Sequence, residues 1–126
     1  MEISGRPLAF PTPDAWRAWL EEHQASADEA WVLIAKKHGM APLVSLVEAT
    51  EEAVCFGWID SAMRPIDAEH YVLRFTPRRS ASNWSPTNRA RALRLIEEGR
   101  MTDAGLAAID AAKRDGRWDP GDARDG

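Results

Sequence analysis

The sequence predicts an α+β fold, in which a small antiparallel or mixed sheet of three or four strands packs with about four helices. Helical patterns recur at residues 12–23, 45–56, 85–98 and 102–115. An apolar run at residues 30–35 predicts a buried strand, and two alternating segments predict a central hairpin over about residues 58–76. Because helices and strands do not alternate strictly along the chain, a doubly wound fold is disfavoured.

Each predicted helix has a start signal in its sequence. Thr12 precedes a proline and can cap the first helix, whereas Ser45 and Glu48 have the spacing of a capping box at the second. Ser85 and Thr102 are the corresponding caps of the third and fourth helices. Three of the helices are followed by a glycine that can take the left-handed conformation of a helix end, namely Gly57, Gly99 and Gly116.

Residues 58–65 and 70–75 are separated by a connection short enough for a hairpin. Tyr71 and Phe75 alternate with Arg74 in the second of these strands. Since successive side chains in a strand point to opposite faces, Arg74 is expected on the face opposite to Tyr71 and Phe75.

The chain of 126 residues is long enough for one domain with a single core, which we assign to residues 1–118. Residues 119–126 are expected to form a flexible tail. No apolar run reaches the roughly 18–20 residues of a membrane span, and the N-terminus lacks the pattern of a secretory signal. We therefore expect no membrane insertion and a cytoplasmic location.

The charge of the chain is unevenly distributed. The net charge is −4, which disfavours general binding of nucleic acid. Residues 60–100 nevertheless contain eight arginines and five acidic side chains, a local charge of 8 − 5 = +3. Such a basic region suits an anionic small molecule or an acidic peptide or protein surface. The alternative is that these arginines pair with nearby glutamates.

The stretch from Val54 to Ser85 combines arginines with two tryptophans, and we predict the ligand-binding residues there. They are Trp58, Asp60, Arg74, Arg78, Arg79 and Trp84. Guanidinium groups bind carboxylates and phosphates through two parallel hydrogen bonds, and indole rings stack on guanidinium groups or on planar ligands.

Several chemistries find little support in the sequence. Asp60 is a candidate general base or a partner for Arg78 or Arg79, but no second carboxylate or histidine is placed to complete an acid and base pair. Cys55 lies in the last turn of a predicted helix, where a thiolate is disfavoured, so a buried structural thiol is expected. No histidine or cysteine spacing fits a metal site and no nucleotide-binding fingerprint occurs, so no metal and no cofactor are predicted.

Five short segments with characteristic spacing follow one another along the chain. They are Cys55-Phe56-Gly57-Trp58-Ile59-Asp60, Phe75-Thr76-Pro77-Arg78-Arg79, Asn83-Trp84-Ser85, Gly99-Arg100-Met101-Thr102 and Gly116-Arg117-Trp118. With these segments the chain resembles the YdeI/OmpD-associated (OmdA) family, often described as bacteriocin-protection proteins, over roughly residues 8–119. The resemblance implies a small bacterial protein linked with resistance to antimicrobial peptides or with an outer-membrane porin. It implies no settled reaction and no catalytic residues.

Three functional hypotheses follow. The first is a non-enzymatic stress or resistance protein that binds an anionic small molecule or acidic peptide at the arginine and tryptophan residues. The second is a protein interaction module, with a homodimer as one form, that uses the same hairpin as its interface. The third is an enzyme of unfamiliar type in which Asp60 is the base.

Overall fold

The computed structural model describes residues 7–36, 43–78 and 84–118, and within these ranges it contains four helices and three strands. The elements in chain order are α1 (Pro13–His23), β1 (Ala30–Ala35), α2 (Leu46–Cys55), β2 (Trp58–Pro65), β3 (His70–Pro77), α3 (Pro86–Glu97) and α4 (Asp103–Arg114). The predicted α+β class is confirmed. None of the described helices combines the length and the apolar character needed to cross a membrane.

The three strands form an antiparallel sheet in the order β1, β3, β2. The predicted hairpin of β2 and β3 is therefore present, with Trp58 opposite Pro77 and Pro65 opposite Tyr71. The register shifts between Asp60 and Ala62, so a β-bulge lies in the edge strand β2. Residue 8 adds an isolated parallel bridge to β1.

One face of the sheet carries the hydrophobic core. Val32 and Ile34 of β1 and Leu73 and Phe75 of β3 lie on this face, because antiparallel partners share a face and these residues are paired or alternate with one another. From α1, the fully buried Trp16 lies with its ring centroid 5.3 Å from that of Phe75. This packing of helices on one sheet face buries the apolar stripe that the sequence places on each helix.

The predicted helix caps are formed. The hydroxyl groups of Thr12, Ser45, Ser85 and Thr102 each accept a hydrogen bond from a backbone N–H in the first turn of their helix. At Ser45 the capping box is complete, since Glu48 also accepts a hydrogen bond from the Ser45 backbone N–H at 3.0 Å.

Helices α2 and α4 meet at a close contact. A Cβ atom on Gly105 of α4 would lie 2.3 Å from the carbonyl oxygen of Cys55, the last residue of α2. The same carbonyl oxygen accepts hydrogen bonds from both the backbone N–H and the hydroxyl of Thr102. Gly105 is therefore required by steric contact rather than by backbone conformation.

A network of ion pairs joins α1, α2 and the loop between α3 and α4. The Glu52 side chain is almost completely buried, and its two oxygens accept hydrogen bonds from Arg17 at 3.0 Å and from Arg100 at 2.7 Å. Arg17 also donates to the carbonyl oxygen of Arg100 at 2.9 Å. We call Arg17, Glu52 and Arg100 the Glu52 network.

Candidate anion-binding site

The structure distributes the predicted ligand-binding residues over different surroundings. Trp58 is in the core with 1% of its surface exposed, and its ring meets that of Trp19 edge to face at 6.0 Å. Asp60 follows two residues later on the same strand, where its side chain is exposed. Trp58 is therefore a packing residue, whereas Asp60 is accessible to solvent.

Arg74 lies on the other face of the sheet, as the strand alternation predicts. Its Nε donates to a Glu29 carboxylate oxygen at 2.6 Å, and its Nη1 donates to the Ser61 hydroxyl at 3.2 Å. Ser61 follows Asp60, which pairs with Phe75, so strand alternation places the Ser61 side chain on the Arg74 face. Arg74 is thus held away from Asp60 and Trp58 by its own partners.

Arg78 and Trp84 are brought together directly. The Arg78 guanidinium carbon lies 3.7 Å from the centroid of the Trp84 ring, which is a close cation–π contact. The Arg78 backbone N–H donates to the carbonyl oxygen of Gly57 at 3.0 Å, so the end of β3 is fixed beside the start of β2. Arg79, the remaining predicted residue, lies outside the described residues.

Arg117 and Trp118, which follow α4 in the chain, complete this site. The Trp84 and Trp118 ring centroids are 5.0 Å apart, and the Trp84 backbone N–H donates to the Arg117 carbonyl oxygen at 3.1 Å. The Arg89 guanidinium donates to the Trp118 carbonyl oxygen at 2.9 Å. We call Arg78, Trp84, Arg117 and Trp118 the Arg78 cluster.

The surroundings of Arg78 disfavour its charge. Burial lowers the pKa of Arg78, the positive charge of Arg117 lowers it further, and Asp60 only partly offsets them, so that the pKa falls to about 10. The net direction is unusual for an arginine, whose pKa ordinarily lies above about 12. A guanidinium in this position has a more favourable electrostatic energy when an anion is bound beside it.

Sequence reasoning included Arg78 and Trp84 in the site and missed Arg117 as a site residue. Arg117 and Trp118 are more than thirty residues away in sequence from Trp84, and their approach depends on how α4 packs. The sequence signal for this approach is Gly116, which follows α4 and directly precedes Arg117 and Trp118. In the structure Gly116 has a φ of 76°, the left-handed conformation of a helix end. Such a turn reverses the chain and returns both residues to the body of the protein.

The remaining candidates for chemistry are the Cys55 thiol, a metal site and Asp60. Cys55 is completely buried, as expected, and burial together with the charge of Glu52 raises the pKa of its thiol despite the nearby Arg17. Among the described residues, His, Cys, Asp and Glu form no group of three that could hold a metal ion. The role of Asp60 as a base stays a prediction.

Comparison with known proteins identifies the family. The model of the family described as domain of unknown function DUF8412 matches residues 8–108, which is most of the 126-residue chain. The chain belongs to the DUF8412 family. Arg78 and Trp84 lie within the DUF8412 match, whereas Arg117 and Trp118 follow it. No curated protein and no solved structure matches the chain significantly.

Proposed function

We propose that the chain is a non-enzymatic protein that binds an anionic small molecule at the Arg78 cluster. The observation that supports this most strongly is the Arg78 side chain, which is packed on Trp84 while burial and Arg117 lower its pKa to about 10. Side chains whose pKa is strongly shifted by burial and by a like charge occur often at functional sites. A bound carboxylate or phosphate would favour the charged form of this guanidinium.

The aromatic rings add a second recognition element. Trp118 is partly exposed and packs on Trp84, so an organic anion can contact indole carbon atoms while its charged group meets the guanidinium. Lys113 lies 5.3 Å from the Trp118 ring and contributes a further positive charge at the edge of the cluster. The site is therefore suited to an anion that also carries an apolar or planar part.

The proposal is tested by isothermal titration calorimetry with benzoate, phenyl sulfate and phenyl phosphate at constant ionic strength. We expect at least one of them to bind the wild-type protein, and Arg78→Met to weaken it by about tenfold or more, since it removes a charge-assisted hydrogen bond. Arg94→Met is the matched control, because Arg94 is exposed on α3 and pairs with Glu51 and Glu98. Absence of binding by all three anions, or equal loss in both variants, would contradict the proposal.

An acidic peptide presents the same carboxylate groups as a small anion. A tetraglutamate peptide in the same titration separates the two ligand classes, since tighter binding of the peptide than of benzoate favours the acidic peptide.

Because the chain resembles the bacteriocin-protection proteins, we propose that this binding serves a cytoplasmic stress or resistance function. Bacteria expressing the wild-type protein should survive a bacteriocin challenge better than bacteria expressing Arg78→Met at equal level.

A second candidate function, self-association through the hairpin, is favoured by the apolar side chains at its far end. Met63 and Ile66 are 58% and 48% exposed there. Exposed apolar groups beside an edge strand favour association with another chain. Size-exclusion chromatography over a range of concentrations tests this, because Met63→Glu should remove any concentration-dependent dimer and leave anion binding unchanged.

A further inference from the structure

Strand β2 lies at an edge of the sheet. In the order β1, β3, β2, it pairs with β3 alone among the strands that the structure describes. Asp60, Ser61, Met63 and Pro65 of this strand are exposed. An open edge presents main-chain N–H and C=O groups that can pair with a further strand. The second candidate function, self-association through the hairpin, therefore has a specific edge at which it can occur.

The main-chain groups of Met63 point away from β3. At the hairpin turn, the Ile66 N–H donates to the carbonyl oxygen of His70 at 3.1 Å. In antiparallel strands such hydrogen-bonded pairs alternate with non-hydrogen-bonded pairs. Met63 is three positions before Ile66, so its pair with Leu73 is of the non-hydrogen-bonded kind. The N–H and C=O of Met63 are therefore at the outer edge.

The main-chain groups of Asp60 point the same way. At the other end of the hairpin, the Arg78 N–H donates to the carbonyl oxygen of Gly57 at 3.0 Å. Asp60 is three positions after Gly57, so its pair with Phe75 is also non-hydrogen-bonded. The β-bulge leaves this edge regular, because Asp60 and Met63 lie opposite residues of β3 that are two positions apart. The outward groups of Asp60 and Met63 thus have the spacing of a regular strand.

These outward groups are self-complementary. When a second copy runs antiparallel beside β2, Asp60 of one copy faces Met63 of the other, and such a pair can exchange both main-chain hydrogen bonds. A two-fold axis between the copies repeats this pair on its other side. The charged residue in β2 of the second copy that is nearest to Asp60 is then Arg64, whereas a parallel, in-register arrangement would bring like charges side by side. Main-chain geometry and charge both favour a second copy in antiparallel orientation.

We propose that two copies of the chain associate by antiparallel pairing of their β2 strands, with Asp60 opposite Met63, so that their sheets become one continuous sheet. This inference rests on the second candidate function and adds the strand, the orientation and the register of the contact. Pro65 has no N–H to present at this edge, which limits the pairing to a short stretch. A short contact buries less surface than a standard interface, so the dimer is weak and depends on concentration.

Two cysteine variants test the register. Asp60→Cys and Met63→Cys are purified separately, mixed, oxidised with copper phenanthroline and analysed by non-reducing electrophoresis. Opposite Cα atoms of a hydrogen-bonded pair are about 5.5 Å apart, which a disulfide can span. Because each new thiol faces the other position, we expect the mixture to cross-link at least about fivefold faster than either variant alone. The wild-type protein is the control for Cys55, which is buried.

Met63→Pro tests the hydrogen bonds at the edge. It removes an N–H that the hairpin does not use, and proline is tolerated at such positions of an edge strand. The dimer dissociation constant from sedimentation equilibrium should be at least about tenfold higher than that of Met63→Ala, because one hydrogen bond is lost on each side of the axis. Met63→Ala is the matched control, since it removes the side chain and retains the N–H. Near-ultraviolet circular dichroism checks that both variants retain the fold.

The outcomes distinguish this pairing from self-association in general. Cross-linking of either cysteine variant alone as fast as the mixture, or equal dimer stability in Met63→Pro and Met63→Ala, would overturn the β2 pairing and leave self-association intact. A wild-type protein that stays monomeric up to about 1 mM would contradict self-association as well.

Discussion

The Glu52 network and the Arg78 cluster place arginines in opposite electrostatic surroundings. In the Glu52 network, burial is the largest single influence and works against the charges of Arg17 and Arg100. The hydrogen bonds and nearby negative charges, foremost those of Glu52, together outweigh burial, and the pKa of each arginine is raised. In the Arg78 cluster, burial and the charge of Arg117 outweigh Asp60, and the pKa of Arg78 is lowered. One region stabilises its charges within the fold, and the other disfavours the charge it holds.

From this difference we propose a structural role for the Glu52 network and a binding role for the Arg78 cluster. The Glu52 network joins α1, α2 and the loop before α4 through side chains that satisfy one another. In the Arg78 cluster, burial and the charge of Arg117 lower the pKa of a guanidinium that packs on Trp84, and groups perturbed in this way occur often at functional sites. The arginine content of the sequence alone does not distinguish the two.

We expect the largest change in stability from a substitution at Gly105, where α4 contacts the end of α2. Helix α2 carries Glu52, and the end of α4 leads to Trp118, so Gly105→Ala should disturb both regions at once. The added Cβ would overlap the Cys55 carbonyl oxygen, and we expect a loss of about 3–4 kcal/mol in the free energy of unfolding. Urea unfolding measures this. Gly99→Ala is a control without a steric overlap, although its φ of 75° makes it mildly destabilising. Equal loss in the two variants would contradict the close contact.

Glu52→Ala should break the Glu52 network alone. It leaves Arg17 and Arg100 without their shared carboxylate, and since both arginines are partly exposed we expect a loss of about 2–3 kcal/mol in the free energy of unfolding. Glu98→Ala removes an exposed carboxylate from the same surface and should cost much less. Anion binding should be unchanged in both variants. Loss of anion binding in Glu52→Ala would show that the two regions are not independent.

At neutral pH, Arg78→Met should raise the free energy of unfolding, whereas Glu52→Ala lowers it. It removes a charge that the fold disfavours and retains an apolar chain over Trp84, so we expect stability to increase by about 1 kcal/mol, a few degrees in Tm. Above about pH 10 the unfolded wild-type chain binds more protons at Arg78 than the folded chain, because the unfolded guanidinium keeps its ordinary, higher pKa. The stability of the wild type should therefore rise relative to Arg78→Met as the pH passes 10. A loss of stability at pH 7 as large as that of Glu52→Ala would refute the assignment.

The fold could largely be predicted from the sequence because its signals are local. Helix caps such as Ser45 with Glu48 act over three residues, and the alternation that placed Arg74 opposite Phe75 acts within one strand. Arg78 and Trp84 are six residues apart in sequence, so their proximity was also accessible to sequence reasoning.

The rest of the site depends on tertiary packing. Trp58 is in the core because α1 places Trp19 against it, and no local pattern shows that contact. Arg117 and Trp118 reach Trp84 only after α4 has packed on α2. Arg74 was grouped with Arg78 because they are close in sequence, but the Arg74 side chain is held by Glu29 and Ser61 instead.

The titration of the Arg78 guanidinium itself tests the central claim most directly. In carbon-13 NMR spectra of arginine-labelled protein, the Cζ resonance that disappears in Arg78→Met should titrate with a midpoint near 10. The resonances of Arg17 and Arg100 should remain those of the charged form up to higher pH. Saturating phenyl phosphate should then move the Arg78 midpoint upward, because a bound anion favours the charged form. An Arg78 resonance that titrates with the other arginines, or that does not respond to any bound anion, would contradict the account.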